Sequence, residues 1–395
     1  MGRLVLTTEK AVMRSLKAQL AVSTAMASVV LLGYGGRNAY ADCAGGGGTY
    51  LCSAYTNTTQ TLTGTPLTVT TASDFEIITA TGDALNLTGT GGLSFTDSNA
   101  STITGYGSGI RSENLASGAL SITTTGLVTG QNNDGIFARN SGTDLTIEAT
   151  EVDGYDHGVY AKNDGSGALS ITATGLVTGL TEYGISARNY GTDLTIKAAE
   201  VDGNRYGILA INDGNGALSI TATGPVTGQI YSGIFARNSN LGTDLTIEAA
   251  SVEGQLNGIT ARNFGSGALS ITATGSVIGR DRDGIFTRDY GKDLTIEVAS
   301  VEGEDRGIYA RNGGTGALSI TATGTVTSQD KSGILAENLG TGTDLTIETA
   351  AVDGNSFGIF AQIMAAVPCQ SPRQGMSSVA NKMGSVHLII TAAQT

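Results

Sequence analysis

A short alternation of apolar and polar residues recurs along most of the chain. In one copy, Leu169, Ile171 and Ala173 alternate with Ser and Thr residues. Because successive side chains of a β-strand point to opposite faces, this period of two predicts a strand with one buried face. Glycines separate this strand from two further short apolar runs. The pattern therefore predicts three short strands in each copy.

The copies return at a nearly fixed interval. Two words alternate, ALSI at Ala119, Ala168, Ala217, Ala268 and Ala317, and DLTI at Asp144, Asp193, Asp244, Asp293 and Asp344. Taken in chain order, successive starts lie 24 to 27 residues apart. A fixed period of this size is typical of a solenoid, in which each unit buries its apolar face only against its neighbours.

The predicted fold class is all-β, a right-handed parallel β-helix of about 12 rungs with about 25 residues in each rung. Ten units run from about residue 117 to residue 363, and two weaker ones precede them from residue 66. Each strand is expected to pair in parallel with its equivalent one unit on, at a spacing of about 4.8 Å. Val128, Val152, Val177 and Val201 are expected to stack in one inward column.

An Asn follows the GIxAx word of almost every unit. Stacked amides can donate and accept hydrogen bonds along the axis and satisfy the backbone of a turn. We therefore predict a structural asparagine ladder, with Asp289 in one position. Its members are Asn114, Asn140, Asn163, Asn189, Asn212, Asn238, Asn263, Asn312 and Asn338.

The N-terminal region has a different composition. Residues 1–41 combine basic residues, a weakly apolar stretch and a small-x-small site ending at Ala41, which predicts a secretory signal peptide starting at Met1 or Met13. Residues 42–65 are interpreted as an N-terminal cap. In it, Cys43 and Cys52 flank a glycine-rich turn and could pair in an oxidising compartment, whereas metal binding by two cysteines without His partners is less favoured.

Composition limits the chemistry that the chain can perform. The chain holds 58 Gly and no Trp, and its formal net charge of −13 disfavours nucleic acid as a partner. It has two His, and no phosphate-binding loop, zinc spacing or dinucleotide fingerprint is present. We predict no enzymatic activity, no cofactor and no metal. The chain is therefore expected to be a non-enzymatic interaction module. The alternative functions are a polysaccharide-active β-helix enzyme and an inert spacer or nonfunctional fragment.

Two sets of residues are candidates for binding. Basic residues precede the ladder position and project outward, with Arg139, Arg188, Arg237 and Arg262 among them. They could bind an anionic glycan, or they could pair with nearby acids such as Asp144 and Asp193. The variable corners hold Tyr155, Tyr183, Tyr206 and Tyr231, which could contact a sugar or a protein or could be functionally neutral.

The early Cys pair, the signal and the repeat words GIFARN and GTDLTI resemble the passenger region of bacterial autotransporters, the surface proteins of type V secretion. The resemblance covers residues 13 to about 363. It implies export to the outer surface of a Gram-negative cell and a role in adhesion, aggregation or virulence, with a host or bacterial surface glycan or protein as partner. No transmembrane segment is predicted in the mature chain.

The last 32 residues depart from that resemblance. Residues 364–395 contain a cysteine and clustered Met, both foreign to the repeats, together with two prolines, and Ile363 stands where a ladder Asn belongs. A passenger is followed by a translocating barrel, which a segment of this length and pattern does not provide. We predict a disordered or frame-shifted tail and periplasmic retention of this chain, with surface display for an intact relative.

Overall fold

The computed structural model describes residues 43–339, 341–366 and 386–393. Within these ranges, every regular element is a β-strand. The predicted signal peptide, residues 1–41, lies outside the described residues, as does Cys369. No helix among the described residues has the length and apolar character needed to cross a membrane.

Eight short or irregular strands build the N-terminal rungs. They are β1 (Cys43–Gly46), β2 (Thr49–Cys52), β3 (Tyr55–Thr56), β4 (Gln60–Gly64), β5 (Leu67–Thr71), β6 (Glu76–Ile78), β7 (Leu85–Asp97) and β8 (Ile103–Gly105). β1 and β2 form an antiparallel hairpin, and a disulfide joins Cys43 to Cys52 across it. β2 then pairs in parallel with β5. The first rung therefore begins inside residues 42–65, earlier than the predicted start at residue 66.

Beyond β8, a longer strand and a shorter strand alternate. The longer strands are β9 (Ile110–Gly130), β11 (Leu145–Gly154), β13 (Leu169–Gly179), β15 (Leu194–Gly203), β17 (Leu218–Gly228), β19 (Leu245–Gly254), β21 (Leu269–Gly279), β23 (Leu294–Gly303), β25 (Leu318–Ser328) and β27 (Leu345–Gly354). The shorter strands are β10 (Ile136–Asn140), β12 (Val159–Asn163), β14 (Ile185–Asn189), β16 (Ile208–Asn212), β18 (Ile234–Asn238), β20 (Ile259–Asn263), β22 (Ile285–Asp289), β24 (Ile308–Asn312), β26 (Ser332–Asn338) and β28 (Phe357–Ala366).

Longer strands pair with longer strands and shorter strands with shorter ones, always in parallel. This pairing confirms the predicted parallel β-helix of about 12 rungs. Each unit holds two strands rather than the three expected, because the glycine after the first apolar run does not end the strand. In β13, Gly175 lies where the register shifts between Ala173 and Leu176, and pairing resumes on its far side. The glycine bends a continuous strand.

The core consists of stacked apolar columns. Val128, Val152 and Val177 are fully buried, and each lies directly opposite the next in register, which confirms the predicted column. Leu169 and Ile171 belong to two parallel columns that are likewise fully buried. Burial of one such side chain contributes about 1.5–3 kcal/mol, so rung stacking supplies the main stabilising term.

The glycine that opens each GIxAx word is explained by close packing. A Cβ placed on Gly158 would lie 2.5 Å from Cγ1 of Val177 and 2.7 Å from the carbonyl oxygen of Gly184. Real Cβ atoms do not approach backbone oxygens so closely. The repeat therefore retains Gly because the backbone of one rung touches the core of the next.

The asparagine ladder is formed, as predicted, and all of its members are fully buried. Nδ2 of each Asn donates to Oδ1 of the next from Asn114 (2.8 Å) through Asn263, whose acceptor is Asp289 (2.9 Å). Nδ2 of Asn189 also donates to the carbonyl oxygens of Thr192 and Asp193, both at 3.0 Å. The ladder thus satisfies the carbonyls of each turn.

The C-terminal end of the solenoid continues past the last ladder position. Ile363 lies opposite Asn338 in register, as the repeat alignment predicted. Part of the segment expected to be disordered forms a strand, β29 (Val386–Ala393), which pairs in parallel with β28. The backbone of 386–393 thus extends the stack by a further strand.

Candidate binding face

The outward positions of the shorter strands form one long face, here called the binding face. Because side chains alternate along a strand, the second and fourth residues of each shorter strand point outward. In-register pairing stacks each position into a column. The second position gives an aromatic column of Phe137, Tyr160, Phe235, Phe286 and Tyr309, interrupted at Ser186, Leu209 and Thr260. The fourth gives a basic column of Arg139, Lys162, Arg188, Arg237, Arg262, Arg288 and Arg311, interrupted at Ile211.

The N-terminal part of the basic column is neutralised. Two carboxylates that follow ladder residues each serve two cations. The ion pairs are Arg139–Asp164 (2.9 Å), Lys162–Asp164 (2.8 Å), Arg188–Asp213 (2.7 Å) and Arg237–Asp213 (2.7 Å). Burial acts to raise the pKa of Asp164, but hydrogen bonds from Lys162 and Arg139 outweigh it and hold the pKa below its usual value.

The suggestion that Asp144 and Asp193 pair with the basic column was wrong. Oδ1 of Asp144 accepts a hydrogen bond from the backbone N–H of Ala168 at 2.8 Å, and Asp193 makes the same contact with Ala217 at 2.7 Å. These carboxylates cap the turns between rungs. The true partners lie directly after the ladder Asn, next to the basic column.

The next part of the basic column, at Arg262 and Arg288, lacks such acids, whereas Arg311 beyond it lies 3.9 Å from Oε2 of Glu337. Among the described residues, no carboxylate lies within ion-pair distance of Arg262, and none lies within that distance of Arg288. The guanidinium of Arg262 instead lies 5.8 Å from the ring centroid of Phe235 and 5.4 Å from that of Phe286. Burial, followed by the charge of Arg288, lowers the pKa of Arg262 below its usual value.

Three of the four candidate tyrosines form one row beside this face. The ring centroids of Tyr183 and Tyr206 are 5.5 Å apart, and those of Tyr206 and Tyr231 are 5.1 Å apart. Burial, followed by the neighbouring tyrosines, raises the pKa of Tyr206. These distances are typical of interacting aromatic rings.

Tyr155 does not belong to the row. It occupies the first position of its corner and is 43% exposed, whereas Tyr183, Tyr206 and Tyr231 lie at the third or fourth position of theirs. In the rung of Tyr155 the third position is His157, whose ring lies 5.1 Å from that of Tyr183. Position within the corner therefore decides which ring joins the row.

The side chain of His157 is largely shielded from solvent. Its side chain is 17% exposed, and Nδ1 lies 2.6 Å from Oδ1 of Asp134. Its ring also contacts that of Tyr160 at 5.3 Å. His157 thus connects the tyrosine row to the aromatic column.

A second connection lies further along the axis. Tyr206 is 5.7 Å from Phe235, which in turn lies beneath the guanidinium of Arg262. The tyrosine row, the aromatic column and the basic column therefore meet at Phe235. The aromatic column was not predicted, although alternation within GIFARN already places its Phe on the outward side.

The chemistry that this surface offers is ring stacking, cation–π contact and charged hydrogen bonding. No group of three His, Cys, Asp or Glu side chains suited to hold a metal ion occurs among the described residues. Comparisons with protein-family models, curated proteins and solved structures found no match to this chain. The fold defines the class, a parallel β-helix with an asparagine ladder, and its role rests on the face just described.

Proposed function

We propose that the chain is a cell-surface interaction module, similar to an autotransporter passenger, which binds a host or bacterial surface glycan or protein without catalysing a reaction. One observation carries the proposal. The tyrosine row, aromatic column and basic column run side by side along the solenoid axis. Folding alone does not require rings and guanidiniums at these outward positions, because the core columns and the ladder stabilise the rungs.

The geometry suits an extended ligand. Each rung presents equivalent groups about 4.8 Å from the next, so a chain-like partner can engage several rungs at once. Contacts that are weak singly then add, because the second contact is intramolecular once the first has formed. Tyr and Arg are also the residue types that most often dominate binding energies.

Removal of the tyrosine row should weaken binding. We expect the triple variant Tyr183→Ser, Tyr206→Ser, Tyr231→Ser to lose affinity by about tenfold for a glycan or matrix protein that the full chain binds on an array, because each ring contributes about 0.5–1.5 kcal/mol. Tyr155→Ser is the matched control, since Tyr155 is exposed in the same type of corner but stands outside the row. Equal losses in both variants would contradict the assignment of the row.

A reducing-sugar assay and the same binding array distinguish the alternative functions. Release of reducing sugar from a pectin-like polysaccharide would favour a polysaccharide-active enzyme. Failure of the folded full chain to bind any glycan or matrix protein would favour an inert spacer.

Export is the second part of the proposal. The disulfide between Cys43 and Cys52 supports it, because such bonds persist in oxidising compartments. We expect the chain expressed in a Gram-negative host to begin at Asp42 after processing, and N-terminal sequencing of the periplasmic and surface fractions checks this. An unprocessed chain found wholly in the cytoplasm would contradict export. Protease shaving of intact cells then distinguishes surface display from periplasmic retention.

A further inference from the structure

The arginines of the binding face have different neighbours in different rungs. One of these neighbours is the residue that directly follows the ladder position. In two N-terminal rungs this residue is Asp164 or Asp213, and both neutralise the basic column. In two later rungs it is Phe264 or Tyr290. The backbone N–H of Tyr290 donates to the carbonyl oxygen of Asn263, which places it in the same column. Aromatic rings thus replace carboxylates beside Arg262 and Arg288.

These two rings form a flat exposed patch. The rings of Phe264 and Tyr290 stack with centroids 5.3 Å apart and planes 10° apart, and the residues are 40% and 45% exposed. The next residue of this column is Gly313, where a Cβ would lie 3.3 Å from Cδ1 and 3.5 Å from Cε1 of Tyr290. No side chain of Gly313 covers the outer part of the Tyr290 ring.

The two guanidiniums beside the patch are half-buried and adjacent. Arg262 and Arg288 lie directly opposite each other in register on β20 and β22. The Nε atom of each is buried and has no hydrogen-bond partner. Like charges at neighbouring rungs repel unless an anion lies between them, and an Arg fork matches a carboxylate or sulfate group.

We propose that Arg262, Arg288, Phe264 and Tyr290 form the binding site for an acidic polysaccharide, with the anionic group of one sugar between the guanidiniums and its ring packed on the aromatic pair. This inference rests on the proposed function and names the ligand class and the site. A pyranose has one apolar C–H face that suits an aromatic surface and polar edges that suit guanidinium donors.

A nucleic acid would use the same two kinds of contact but fits less well. Single strands carry a charge on every nucleotide and are bound along grooves lined with many cations. Here the free guanidiniums are two neighbours on a chain whose net charge is −13. One local anion per site agrees better with a sugar chain.

The test is calorimetric titration of the full chain with an oligogalacturonate, its methyl-esterified neutral counterpart, a sulfated oligosaccharide and single-stranded DNA. We expect an acidic oligosaccharide to bind and the neutral one to bind at least about tenfold more weakly, with the affinity falling as salt rises. Whichever of the uronate and sulfated oligosaccharides binds more tightly identifies the anionic group that the site prefers. Tighter binding of DNA than of either acidic sugar would overturn the proposal.

Variants locate the site. Arg262→Gln with Arg288→Gln should reduce the affinity about 10- to 100-fold, because hydrogen bonds to charged groups contribute more to the binding free energy than neutral ones. The matched control is Arg280→Gln with Lys331→Gln, which removes two cations that lie in corners outside the basic column and pair with Glu253 and Asp305. The control should stay within about twofold of the parent, because these two cations are already paired and lie outside the proposed site. Equal losses in the two double variants would sink the proposed site.

A third variant tests the aromatic part without removing charge. Gly313→Leu should cover Tyr290 and weaken binding of the acidic sugar, while the thermal melting curve remains that of a folded protein. Unchanged affinity in this variant would overturn the stacking part of the proposal. If only neutral glycans or matrix proteins bind, this inference fails and the proposed function stands. If nothing binds, both fail.

Discussion

Replacing Asp289 by Asn should raise the free energy of unfolding by up to about 3 kcal/mol near neutral pH, the equivalent of the difference between the carboxyl's ordinary pKa of 3.8 and the value of about 6 that it has in the fold. Asp289 is fully buried in the ladder, and burial is the main cause of the raised pKa. Its Oδ2 has no hydrogen-bond partner. An amide would restore the donor that the ladder needs at this rung.

The side-chain hydrogen bonds that run along the ladder from Asn114 end at this rung. Asp289 accepts from Asn263 but, as a carboxylate, has no proton to donate to Asn312. Nδ2 of Asn312 donates to the carbonyl oxygen of Lys292 in the preceding rung at 3.0 Å. That carbonyl belongs to the turn that Asp289 itself would serve if it were Asn.

The same substitution should remove a dependence on pH. Because the folded state holds the Asp289 proton more tightly than the unfolded state, the contribution of Asp289 to stability is greatest below pH 3.8 and falls as the pH rises through the window from 3.8 to about 6. The Asp289→Asn variant lacks this fall. Urea unfolding of both proteins at several pH values should therefore give curves that converge near about pH 4 and separate toward neutrality.

The matched control is Asp281→Asn, which changes an exposed carboxylate in a corner that precedes the same strand. It should shift the free energy of unfolding by no more than about 0.5 kcal/mol. A gain from Asp289→Asn that is equally large at acidic pH would show that the ionised carboxylate is not the cause.

Replacing Asn189 by Leu should lower the free energy of unfolding by at least about 1–3 kcal/mol, the cost of leaving a buried polar group unpaired. The amide is fully buried and serves the carbonyl oxygens of Thr192 and Asp193 and Oδ1 of Asn212. Leu leaves these acceptors without that donor. Chemical or thermal unfolding of the full chain measures the change.

An amide on the surface provides the comparison. Asn132 donates to the carbonyl oxygen of Tyr106 in an exposed corner, so Asn132→Leu should cost no more than about 0.5 kcal/mol. Asn189→Asp would place a second carboxylate in the ladder and should destabilise the fold more at neutral than at acidic pH. An Asn189→Leu protein with the melting temperature of the wild type would show that the ladder does not stabilise the fold.

Alternation and spacing in the sequence were enough to predict the interior of the solenoid. Alternation with period two decides which side chains point inward, and a repeat of nearly constant length brings equivalent positions into register. The Val column and the ladder from Asn114 to Asn263 follow directly from these two facts. The local pattern is enough to predict the interior because every rung pairs with the next in the same parallel register.

Tertiary structure decided what happens on the outside. His157, at the third position of its corner, joins the tyrosine row, and Tyr155, at the first position, does not. The partner of Arg139 is Asp164 on the next rung, 25 residues away. Whether an arginine is neutralised, and which rings stack beside it, depends on side chains that meet across rungs. Sequence alternation gives the direction of each side chain, but only the folded stack brings its partners together.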